Sequence, residues 1–213
     1  MSSMLKKITV LLPVVLFGLF FFRDWYPEAY AQVSLKRTSG FVLSVLLLYA
    51  LFIFAVIRSK QESFFARLVQ SSFFVYVFAV LTLTGYFVLF KEISSHDWWG
   101  RMEQRVETKD RVNLQPFQLF RIYSTRHKQV LGNLIMLLPL GIYLPLLYRR
   151  LRSFGGFFTV LLISLLVSLG IELLQLITSY RSADIDDVIL NTIGGCLGFI
   201  IYQFIRAVAG RKS

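Results

Sequence analysis

Six apolar runs, at residues 8–22, 41–57, 71–90, 130–148, 157–177 and 188–205, govern what this chain can fold into. Most reach the roughly 17 to 25 residues a helix needs to cross the hydrocarbon of a bilayer, where a backbone must satisfy its own hydrogen bonds. They predict an all-α, polytopic transmembrane helix bundle of about six spans. Of 213 residues 56% are hydrophobic, more than a soluble core of this size needs. The first run is the weakest. Lys6 and Lys7 before it and Ala29-Tyr30-Ala31 after it also fit a secretory signal peptide. Arg23, Asp24 and Glu28 make the intervening segment unusually long and charged, so the run is read as a short or tilted span. The lone Cys196, inside the sixth run, offers no disulfide.

A net charge of +11 would suggest nucleic acid in a soluble protein. Its placement argues otherwise, and no nucleic-acid partner is expected. The N-terminal tail, the second and fourth loops and the C-terminal tail hold eleven basic residues, among them Arg67, Arg149, Arg150 and Arg152, against only Glu62. The other face holds twelve, spread over about twice the sequence. The positive-inside tendency assigns the denser collar, and both termini, to the cytoplasm.

The one long loop, 91–129, is of mixed charge and carries Trp98 and Trp99, residues suited to a membrane interface. Residues 101–111 have the opposite-charge pairs of a surface helix. No dinucleotide, phosphate-loop, zinc-protease or paired-cysteine motif is present, and two histidines with one cysteine make a metal site unexpected. No cofactor is expected either.

Glu172 is the only acidic residue inside an expected span, and a charged group deep in a bilayer costs on the order of 3 kcal/mol by insertion scales. Ser164, Ser168, Glu172, Gln175 and Ser179 recur on one helical face. The sixth run repeats the device with Asp187, Asn191, Gly194 or Gly195, and Gly198. Its small residues predict that these two faces pack on each other. Counting about 1.5 Å per residue, Glu172 and Asn191 lie roughly 5 to 8 Å, and Asn133 about 5 Å, from the same membrane face. Pro139 and Gly141 loosen the helix beyond Asn133. With Arg181, Asp184, Asp186 and Asp187 in the intervening loop, these residues form the rim of a cleft shared by spans four, five and six.

Four elements, NLQPF at 113–117, GNLIMLLPLGIYLP at 132–145, IELLQ at 171–175 and RSADIDDVILNTIGGCLG at 181–198, resemble the VanZ-like family of bacterial membrane proteins. The resemblance covers about half the chain, and divides it into an N-terminal membrane segment, 1–110, and a VanZ-like core, 111–213, within one integrated membrane domain. It implies a multi-pass protein of the bacterial plasma membrane and marks Asn133, Pro139, Gly141, Glu172, Gln175, Arg181, Asp184, Asp187, Asn191, Gly194 and Gly198. The family's namesake is associated with low-level resistance to teicoplanin, a glycopeptide antibiotic that acts on the cell envelope.

Each marked residue also has a structural reading. Ser182 or Asp184 can cap the sixth helix, Asp186 and Asp187 suit the positive end of its dipole, and the asparagines can bridge helices. Gly194, Gly195 and Gly198 are read as helix-packing positions. Glu172 can pair with Arg181 or Asn191, yet two helices need no carboxylate merely to associate. The favoured function is binding or remodelling of an envelope component, with Asn133, Glu172, Gln175, Arg181, Asp184, Asp187 and Asn191 as ligand-binding residues. The expected partner is membrane lipid or a lipid-linked cell-wall intermediate. An intramembrane enzyme with Glu172 and Asp187 as catalytic carboxylates is a second reading, and a small lipid or solute transporter a third.

Overall fold

A computed structural model describes residues 15, 35–58, 63–86, 89, 97–109, 112–117, 123–178 and 182–210. Arg181, Ser179 and all of the first apolar run except Val15 lie outside the described residues. The elements are α1 (Leu35–Arg58), α2 (Phe64–Leu83), α3 (Trp98–Thr108), β1 (Val112–Asn113), α4 (Tyr123–Met136), α5 (Leu138–Leu147), a 3-10 turn (Arg149–Arg152), α6 (Phe154–Thr178), β2 (Ala183–Asp184) and α7 (Ile185–Gly210). Among the described residues the fold is all-α apart from the two-residue parallel pair β1–β2. Among the described residues, Phe64–Leu83, Lys128–Leu147, Phe154–Thr178 and Ile185–Gly210 are long and apolar enough to cross a membrane, and Val45–Val56 of α1 is a shorter apolar stretch. Two compact units, Met1–Ser95 and His96–Ser213, make up the chain.

In the first unit α1 and α2 form an antiparallel hairpin. Phe52 meets Phe74 in a tilted pair with ring centroids 5.0 Å apart, and Phe78 is buried against Val45, Leu48, Val75, Leu81 and Tyr86. The third expected span, 71–90, is displaced: α2 starts at Phe64 and ends at Leu83. Gly85, at φ 81°, stops it, because a residue without a β-carbon enters the left-handed region without strain and closes the helix. Arg67 is consequently a helical residue of α2 rather than part of a basic loop.

In the second unit α7 is the central rod. The exposed stripe of α6, including Phe158, Leu162, Leu166, Leu169 and Leu173, is apolar, while its buried stripe includes Ser164, Ser168, Glu172 and Gln175. That inversion of a soluble helix suits a rod with lipid on one side and protein on the other. Three side-chain contacts fix the register against α7. Glu172 meets Asp184, Ser168 meets Asn191, and Phe157 meets Phe199 across 5.7 Å, so the two helices run antiparallel.

The fourth span is two helices with a joint. α4 ends at Met136, Leu137 bends, and α5 begins with Pro139 in its first turn. Proline has no N–H to continue the ladder and its ring crowds the preceding turn, so the break falls just before it. α4 begins at Tyr123, seven residues before the expected span at 130. The extra residues are polar, and hydropathy marks where a helix is greasy, not where it starts.

Glycine lets these rods touch. A β-carbon on Gly194 would overlap Leu134 O, one on Gly198 would overlap Leu138 O, and one on Gly141 would overlap Gly195 O. Gly194 and Gly198 therefore face α4 and α5, not α6 as the small-residue spacing had predicted. Gly195 serves α6, where its β-carbon would strike the Ser164 hydroxyl. Two surfaces of one helix, offset by a single residue, each bind a different neighbour.

At the far end Arg152 ties the connection. Its Nε donates to Pro145 O (2.9 Å) and its Nη2 to Leu146 O (3.2 Å), which serves the open carbonyls at the end of α5. Its own carbonyl accepts Gln203 Nε2 and Arg206 Nη1. Arg152 is thus a structural clamp as well as a member of the basic collar.

Overpacking at the α4–α7 crossing should cost about 1 to 3 kcal/mol, so Gly194→Val is expected to lower the thermal unfolding midpoint in detergent clearly. Gly170→Ala, in α6 with nothing near its missing β-carbon, should change stability by no more than about 1 kcal/mol. Equal shifts for the two variants would contradict the crossing described.

Candidate functional site

The polar residues of the second unit form layers along the junction of α4, α6 and α7. In the outermost, the Glu172 Oε2 atom accepts the backbone N–H of Asp184 at 2.8 Å. Asp184 precedes α7, and its Oδ1 accepts the Asp186 N–H at 2.9 Å, an N-cap that satisfies one open donor of the first turn. The Glu172 carboxylate lies beside that N-terminus, where the helix dipole favours negative charge. One element further, Gln129 Nε2 of α4 lies 3.3 Å from each carboxylate oxygen of Asp187.

The neighbouring loop is fastened to the same place. β1 pairs with β2 through Val112–Ala183 and Asn113–Asp184. Asn113 Nδ2 donates to Asp184 Oδ1 (2.9 Å), while its Oδ1 accepts the Gln115 N–H (3.0 Å) to form a local turn. Phe117 has φ 67°, an unusual left-handed conformation for a bulky residue, costing on the order of 1 to 3 kcal/mol. Its N–H then points at Asp186 Oδ1 and donates to it. From the other side Arg105 of α3 donates through Nη1 to Leu176 O (2.8 Å), in the last turn of α6. The surface helix expected at 101–111 is α3, beginning at Trp98, and it serves as a cap for a spanning helix.

The middle layer holds Ser168, Asn191 and Asn133. Asn191 Nδ2 donates to Ser168 Oγ at 3.0 Å. Leu137 O lies near Gly195, and Asn133 and Asn191 each stand four residues, one turn, before that contact on helices that run parallel. Ser164 lies one turn deeper, against Gly195. Below it Val160 and Phe199 close the seam with apolar side chains.

Among the described residues, four polar atoms along this seam have no hydrogen-bond partner: Asn133 Nδ2, Ser164 Oγ, Gln175 Oε1 and Asn191 Oδ1. Their residues are 5%, 0%, 3% and 0% exposed. An unanswered buried polar group costs about 1 to 3 kcal/mol, and native proteins keep few of them. Four gathered along one seam therefore point to something other than packing. Among the described residues no group of three His, Cys, Asp or Glu side chains is placed to hold a metal ion.

A family model described as VanZ/LLP1 matches residues 73–206, well over half of the chain. The chain belongs to the VanZ/LLP1 family. Protein VanZ of Enterococcus faecium is 32% identical to it over 91 residues, which are 43% of this chain and 52% of that protein. The chain thus spans about half the length of the curated relative it matches. No solved structure matches it. The VanZ/LLP1 match begins at residue 73, within α2, well before the NLQPF motif.

Within this VanZ/LLP1 chain the structure links Glu172 to Asp184, Asp187 to Gln129 of α4 and Asn191 to Ser168 of α6, and buries Asn133 on α4 and Gln175 on α6. Arg181 lies outside the described residues. Asp184 has the capping role open to it in the sequence, and Ser182 makes no cap bond there. Asn113, Gln129 and Arg105 were missed as members of the site. NLQPF signalled Asn113 as a motif but not its partner, and Gln129 stood in what read as a loop.

Removing the Asp184 side chain should cost on the order of 2 kcal/mol, about half from the lost cap and half from the lost Asn113 bond. Asp184→Ala should therefore unfold earlier in a detergent melt, with Asp184→Asn, which retains an acceptor, recovering more than half of the difference. An Asp184→Ala melt matching the parent chain would refute the stitched N-terminus.

Proposed function

We propose that the chain binds the polar headgroup of a lipid or lipid-linked envelope component at the seam between α4, α6 and α7, and thereby influences glycopeptide susceptibility indirectly. The observation that carries this reading is the set of buried polar atoms of Asn133, Ser164, Gln175 and Asn191 that have no partner among the described residues, Gln175 one turn nearer the end of α6 than Glu172 and the other three deeper along the seam. Such groups are expensive next to lipid and mark sites of function. Glu172 accepts a backbone N–H, and Asp187 is bridged by Gln129, so these carboxylates support recognition and architecture. The teicoplanin association of the family's namesake fits a protein that alters envelope lipid chemistry rather than one that acts on the antibiotic.

The seam's mouth, at the β1–β2 pair, is on the side opposite the Arg149–Arg152 turn. By the density of basic residues the turn faces the cytoplasm and the mouth faces outward, in a plasma membrane with both termini inside.

Expression in a susceptible Gram-positive host should raise teicoplanin tolerance. Glu172→Gln, which preserves shape and an acceptor, should remove the increase at unchanged membrane levels of the protein. Full tolerance with both Glu172→Gln and Asn191→Ala would overturn the reading. For orientation, Cys196→Ala chains carrying Gln115→Cys or Ser153→Cys should differ: an impermeant maleimide labels the first in intact cells and the second only after lysis. The opposite pattern reverses the topology.

A further inference from the structure

We infer that the headgroup this seam takes is a hydroxyl-bearing one, a sugar or polyol, and not a phosphate or another anion; the inference rests on the binding reading above. The unanswered atoms are an amide donor, two amide carbonyl oxygens and one hydroxyl, all from uncharged side chains. A hydroxyl group both donates and accepts, so it answers either end of an amide and either role of a serine, including an amide turned end over end. A phosphate diester offers acceptors only. It would satisfy Asn133 Nδ2 and Ser164 Oγ but would face the Asn191 and Gln175 carbonyl oxygens lone pair to lone pair.

Spacing extends the argument. Glu172, Ser168 and Ser164 step along α6 in single turns, so the stripe from carboxylate to deepest hydroxyl is about 12 Å long at 1.5 Å per residue. One hydroxyl reaches one layer. A molecule with several hydroxyls on a compact ring or chain reaches several at once, and Val160 and Phe199 set an apolar floor beneath it. Asn133 and Asn191 stand on the two parallel helices and Ser164 on the antiparallel one; Gly195 closes over the Ser164 hydroxyl without room for a methyl group, so the molecule reaches that layer by parting α6 from α7 there.

The test uses the full chain in phosphatidylcholine nanodiscs, a matrix whose headgroup has no N–H or O–H donor, with native mass spectrometry of retained lipid. Monoglucosyl diacylglycerol should be retained at least tenfold over the matrix lipid and over phosphatidic acid. Free glucose should fail to displace it if the lipid-borne sugar is the ligand, and should compete if the soluble sugar is. Ser164→Ala should reduce glycolipid retention roughly three- to tenfold, the loss of one hydrogen bond, while raising the thermal midpoint because a buried unanswered hydroxyl is gone. A role in packing alone would raise the midpoint and leave retention unchanged, which overturns the assignment. Preference for phosphatidic acid overturns the hydroxyl class but leaves lipid binding standing. Retention of neither lipid above the matrix, as expected if only waters fill the seam, removes both readings.

Discussion

Everything in the second unit depends on one buried contact, the Asp184 N–H held by the Glu172 carboxylate. It sets the slide of α6 against α7. From there each step of four residues along α6 lands on the next member of α7: Ser168 on Asn191 and Ser164 on Gly195. A displacement of one residue would rotate the polar stripe by about 100° and expose it to hydrocarbon. The carboxylate thus does what hydrophobic burial cannot do between rods already surrounded by lipid: it selects one register among many of similar apolar contact.

The three aspartates at the head of α7 divide the remaining work. Asp184 faces inward to its own helix and sideways to Asn113, Asp186 reaches the backbone of Phe117, and Asp187 turns to Gln129 on α4. Successive positions on a helix point about 100° apart. Three nearly adjacent residues can therefore fasten a loop, a strand end and a second helix to one terminus. Their density reflects the number of neighbours converging there.

Much of this was legible in the sequence. The stripe from Ser164 to Gln175 stood out because a polar residue recurring every three or four positions in an apolar run has one economical explanation. The break after Asn133 was announced by Pro139. The glycines were legible as small residues but not as to partner, since Gly194 and Gly195 differ by one position and face different helices, and spacing alone does not say which neighbour is where. The β1–β2 pair was illegible: two residues carry no periodicity, and Asn113 finds Asp184 only because α4 to α6 fold between them. The polar first turns of α4 were hidden for a related reason, since hydropathy reports the solvent around a helix rather than the helix itself. The end of α2 is readable from Gly85, although the apolar residues run on beyond it.

Arg152 shows that two messages can be written in one side chain. As a positive charge it helps decide which way the chain threads the membrane, and a lysine would say the same. As a planar fork it spans two successive carbonyls, which a lysine's single ammonium cannot copy. Conservative exchange at this position would keep the orientation during insertion while loosening the finished hairpin, separating biogenesis from architecture at a single residue.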